Sequence, residues 1–90
     1  MGKYLVSYDL HTPRKDYDSL WKLLESFKDS LHIQDSVWLV KSTKTQQGVS
    51  ESLQEVLDGD DSWVVLHFDS NISGALEENV AKKVNELYQD

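Results

Sequence analysis

The chain has 90 residues, which makes one small domain and leaves no room for a second. It contains no cysteine, which excludes disulfides, thiolate metal sites and thiol catalysis. No apolar run approaches the ~18 residues needed to span a bilayer. The formal charge of −7 is unevenly divided: residues 1–50 carry a net +1 and residues 51–90 a net −8. A chain-wide basic footprint for nucleic acid is therefore absent.

With 39% hydrophobic and 28% charged residues, and with three Trp, four Tyr and two Phe, the composition is that of a globular domain. Met1-Gly2-Lys3 reads straight into structure rather than into a leader, so the expectation is a cytoplasmic, reducing location with no membrane partner. A core this small gains from a second copy. A polyanion, if one binds, should meet Arg14, Lys15, Lys22, Lys28, Lys41 or Lys44.

Lys3 to Asp9 (KYLVSYD) is β-branched and aromatic without a helical period and predicts the first strand. Thr12-Pro13 reads as a cap followed by proline at the first helical position. Tyr17, Leu20, Trp21, Leu24, Phe27 and Leu31 recur at three- and four-residue steps and predict a first helix. His32 to Lys41 (HIQDSVWLVK) reads as two extended pieces hinged near Gln34-Asp35. Val49, Leu53, Val56 and Leu57 share one face of a second helix, which Gly48 weakens at its start and Asp58-Gly59 ends. Ser62 to Phe68 (SWVVLHF) predicts a buried strand. After a turn at 70–74, Leu76, Val80, Val84 and Leu87 mark an amphipathic C-terminal helix.

The order βαββαβ plus a C-terminal helix predicts an α+β domain of the ferredoxin-like plan, spanning 1–90, with 70–90 as a helical extension. Alternation along the strands divides their side chains between two faces. Val6, Tyr8, Val37, Leu39, Val64, Leu66 and Phe68 are assigned to the side covered by helices. The other side then carries Leu5, Trp38, Val40, Trp63 and Val65, with Ser7, Asp9, Ser36 and His67 among them. So apolar a patch should not face water. Either the C-terminal helix crosses it or a second copy pairs with it about a two-fold axis, which makes Trp38, Val40, Trp63 and Val65 the candidate dimer interface.

Two short motifs carry a resemblance: Ser7-Tyr8-Asp9-Leu10 ending the first strand, and Gln34-Asp35-Ser36-Val37-Trp38-Leu39-Val40 after the hinge. With Pro13, Tyr17 and the acidic turn Asp60-Asp61, they resemble the superfamily of the CRISPR-adaptation protein Cas-two and the VapD toxins, most closely its SinR-like branch. The resemblance covers residues 3–69. It implies a ferredoxin-like homodimer joined through the sheets. It further implies that Asp9, near the two-fold axis, binds a divalent metal such as Mg²⁺ for phosphodiester cleavage. Basic residues after the first strand are reduced to Arg14-Lys15, which would be the nucleic-acid contacts.

Hard cations take carboxylate oxygens, so Asp9 from two chains could hold Mg²⁺; the other reading of Asp9 is a turn residue. His11 reads as a solvent-exposed turn residue and His67 as a hydrogen-bonded interface histidine. Ser7 and Ser36 lack a neighbouring base at triad-like spacing. Trp38 and Trp63 could stack on bases, but their aliphatic neighbours Val40 and Val65 favour packing. Two functions follow: a metal-dependent endonuclease on RNA or DNA with Asp9 as catalytic ligand and only weak nucleic-acid affinity, or a non-catalytic dimeric interaction module.

Overall fold

The computed structural model describes residues 1–11, 17–69 and 72–89, so the expected Thr12-Pro13 cap lies outside the described residues. The elements run β1 (Gly2–Asp9), α1 (Tyr17–Glu25), β2 (Lys28–Gln34), β3 (Val37–Ser42), α2 (Gln46–Gln54), β4 (Ser62–Phe68) and α3 (Glu78–Tyr88). The strands form one antiparallel sheet in the order β2-β3-β1-β4. The domain is thus α+β, with α1 and α2 on one face and α3 on the other. No helix among the described residues is long and apolar enough to cross a membrane.

Helix α1 is shorter than its apolar period suggests. Ser26 N–H donates to both Lys22 O and Leu23 O, and Phe27 N–H to Leu24 O, so the last turn tightens and ends. Phe27 then packs at the rim of the core, while Leu31 belongs to β2 and points to the opposite face. Helix α2 starts with Thr45, whose side chain accepts from Gly48 N–H at 3.0 Å. Gly48 is therefore the donor that closes the N-cap.

The register settles which residues share a face, because cross-strand partners point the same way. Val6 stands opposite Trp38 on one side and Val65 on the other; Tyr4 stands opposite Val40, and Tyr8 opposite Trp63. Trp38, Val40 and Val65 are therefore buried with Val6, Leu20, Leu24, Val49 and Leu53 in the core under α1 and α2, with Trp63 packed against it. This corrects the strand-parity assignment for β3 and β4, where a one-residue offset moves every side chain to the other face. Trp38, Val40 and Val65 are core residues of one protomer and Trp63 is half-buried against that core, so the four do not form an open face.

The second face carries Leu5, Leu39, Leu66 and Phe68. Helix α3 packs on its β2 side through Val84 and Tyr88, against Leu31 and Leu39. The Tyr88 hydroxyl donates to Asp29 O at 2.5 Å, and Lys3 Nζ donates to Tyr88 O at 3.1 Å. Asp29 sits at φ 51°, a left-handed conformation that Asp tolerates better than most residues. Burial, then the Asp29 charge, hold the Tyr88 phenol well above its ordinary pKa.

Candidate functional site

Strand β1 delivers Asp9 to the end of the sheet, opposite Ser62. Its side chain is 75% exposed, and its Oδ2 lies 3.6 Å from His11 Nε2. The loop that carries His11 is braced from below. His11 N–H donates to Asp61 Oδ1 at 3.3 Å, and Asp58 N–H donates to Asp61 Oδ2 at 2.9 Å. Asp61 is 7% exposed, so one carboxylate ties the segment after β1 to the turn before β4. The sequence marks Asp60-Asp61 as an acidic turn, but the bracing role depends on contacts 50 residues apart.

Beside Asp9 is a shallow cavity of about 300 Å³, lined by Ser7, Tyr8, Asp9, Ser62, Trp63 and Val64. Asp9 shares its face with Ser7 of its own strand, with Val64 and Leu66 of β4 on one side, and with Val37 of β3 on the other. Val64 and Leu66 are 47% and 51% exposed. The uncovered apolar strip is therefore Val64 and Leu66 of β4 on the α3 face, and Asp9 lies near its end. His67, by contrast, stands opposite Tyr4 on the α1/α2 face, with ring centroids 5.6 Å apart in an edge-on arrangement. That corrects its expected placement beside Asp9.

Among the described residues, no group of three or more His, Asp or Glu side chains is placed to hold a metal ion. One protomer offers Asp9 as an oxygen donor and His11 as its neighbour, fewer ligands than a hard cation takes. Arg14 and Lys15 lie outside the described residues.

Tyr8 organises a second cluster that periodicity does not reveal. Its hydroxyl accepts from Trp21 Nε1 and Trp38 Nε1, both at 3.3 Å, and donates to Asp35 O at 3.4 Å. His32 stacks on Trp38 with centroids 4.4 Å apart and planes 9° from parallel, and its Nε2 lies 3.1 Å from Asp35 O. The Tyr-Asp end of β1, the Trp of β3 and helix α1 are thus joined by one phenol. Trp63 is tied separately, donating from Nε1 to Ser50 Oγ at 3.1 Å.

No family model matches the chain, and no curated protein is significantly similar to it. Among solved structures, the chain is similar to the crystal structure of a hypothetical protein, TT1823, from Thermus thermophilus, at 20% identity and a TM-score of 0.62. The match covers 83% of this chain and 93% of that one. It is a likeness of fold.

Proposed function

We propose that the chain is a Cas-two/VapD-like domain of the ferredoxin-like plan that acts as a homodimeric interaction module. The element order and the strand order β2-β3-β1-β4 support the ferredoxin-like part of the reading. One observation carries the dimer: Val64 and Leu66 are half-exposed on an uncharged edge strand, while α3 packs on Leu31, Leu39 and Phe68 of the same face and leaves those two side chains open. An apolar strip of this kind is stable in water when a copy of itself covers it. Sedimentation equilibrium at micromolar concentration should give a dimer, and Leu66→Glu should give a monomer with unchanged far-ultraviolet circular dichroism. A wild-type monomer across the whole concentration range would reject the reading.

A second reading, a metal-dependent nuclease, draws support from the position of Asp9 on the same face as that strip. A two-fold axis at the Asp9 end of the strip would bring a second Asp9 toward the first and add its carboxylate to the donors of one protomer. A cation held between the two carboxylates would supply Lewis-acid activation of water at a phosphodiester. If so, Mg²⁺ should raise the melting temperature of the wild-type dimer by mass action, and Asp9→Asn should remove the effect together with any cleavage. Melting curves that are indifferent to Mg²⁺ and to chelator in both proteins would leave the interaction module standing alone.

A further inference from the structure

The sheet end opposite Asp9 has the reverse chemistry. A cavity of about 310 Å³ opens there, where β2 begins and β3 ends. Its polar lining is Lys28, Lys41, Lys44, Ser26, Ser42 and Thr43, and Leu23 and Phe27 supply an apolar part. Among the described residues no carboxylate lines it, although the chain carries 16 Asp and Glu residues and a net charge of −7. The register adds an independent observation. Lys28 stands opposite Lys41, and Lys41 opposite Lys3, so three lysines form a row across β2, β3 and β1. Like charges directly opposite one another in neighbouring strands repel.

The row is partly relieved inside the molecule. Lys41 Nζ lies 3.1 Å from Asp29 Oδ2 and 5.1 Å from the Tyr88 ring centroid, and Lys3 donates to Tyr88 O. Lys44 is held by its own contacts, with Nζ donating to Ser52 Oγ at 2.7 Å and its backbone N–H to Ser42 Oγ at 3.0 Å. Lys28 is exposed and makes no ion pair among the described residues. Lys3 and Lys41 thus turn their ammonium groups to the α3 face, and Lys28 is the lining lysine whose ammonium has no protein partner among the described residues.

We propose that this cavity binds the phosphate group of a small organic phosphomonoester. A phosphate dianion accepts hydrogen bonds from ammonium and hydroxyl groups, which are the donors present. The volume is at the lower end of small-molecule sites, ~300–1,000 Å³, which suits a body no larger than a nucleotide. Leu23 and Phe27 give that body an apolar surface. The site is independent of the dimer reading, since it lies at the other end of the strands from Asp9.

Amide chemical shifts during titration test it, with adenosine monophosphate, inorganic phosphate and adenosine as probes at constant ionic strength set by chloride. Both phosphate-bearing probes should shift Ser26, Lys28, Thr43 and Lys44 saturably and leave Asp9 to His11 still, and adenosine alone should not. Tighter binding of the nucleotide assigns the site to an organic phosphate, whereas equal affinity assigns it to the inorganic ion and rejects the organic part of the proposal. Lys28→Ala, at an exposed position, should weaken binding about fivefold, with Lys28→Arg retaining it. No saturable shift at about 10 mM of either probe, or shifts unchanged by Lys28→Ala, would overturn the proposal.

Discussion

The two faces of the sheet are built from similar residues and end in different states. On the α1/α2 face, Val6 and Val40 are fully buried and Trp38 and Val65 nearly so. On the α3 face, Leu39 is as well covered, yet Val64 and Leu66 stay half open to solvent. Apolar content does not distinguish the two, because β1, β3 and β4 each supply branched or aromatic residues to both sides. Coverage does. Two helices from within the sheet topology cover one face, and a single terminal helix covers the other but leaves Val64 and Leu66 open.

Removing mass from the α1/α2 face should have the largest effect. Trp38→Ala should cost about 3–5 kcal/mol, since it opens a cavity and deletes a donor to Tyr8 OH. Urea denaturation should show a loss of that size in a single transition. Asp61→Ala should cost about 1–3 kcal/mol, because it leaves His11 N–H and Asp58 N–H without their acceptor. Hydrogen exchange should then quicken at those two amides before any other.

Tyr88→Phe tests the half-sealed face and should cost about 1 kcal/mol for the lost bond to Asp29 O. It should also change the alkaline limb of stability. The folded state raises the Tyr88 pKa, through burial and then through Asp29, so it holds the phenolic proton more tightly than the unfolded chain does. That contribution is complete below the ordinary tyrosine pKa of 10.0 and is lost as pH rises above it. Wild type should weaken more steeply above pH 10 than Tyr88→Phe does. The smallest stability effect belongs to the open strip, where Leu66→Glu should change the state of association and, apart from the mass-action loss that follows, move the unfolding free energy of the monomer by no more than ~0.5 kcal/mol.

Much of the fold is legible in the sequence because the signals are local. The β1 alternation, the hinge at Gln34-Asp35, the SWVVLHF strand and the Val80-Val84-Leu87 stripe each sit within one short window, and the structure has elements at all of them. Leu31 misleads because it falls four residues after Phe27, and a helical step of that size also occurs by chance across a helix-to-strand junction. Strand parity misleads for a deeper reason. Which face of β3 meets α1 is set by its register against β1, and register is a property of pairs that no single strand displays. The Asp9 end is legible as far as Asp9 and His11, which are neighbours in the chain. Its support from Asp61, and the locking of α3 by Tyr88 to Asp29, join positions 50 and 59 residues apart and leave no periodic trace.

The sheet's two edges have unequal capacity for growth. β4 pairs with β1 over seven consecutive positions without interruption and carries no Lys, Asp, Glu or Pro, so its outer rim is a regular template. β2 is broken by register irregularities between Lys28 and Leu31 and again between His32 and Gln34, and it displays Lys28 and His32. A strand that added along β4 would bring its own β4 to the join and leave a β2 rim outermost at each end. Such an assembly terminates after one addition. The asymmetry is the difference between a molecule that can make a closed pair and one that would polymerise into a fibre.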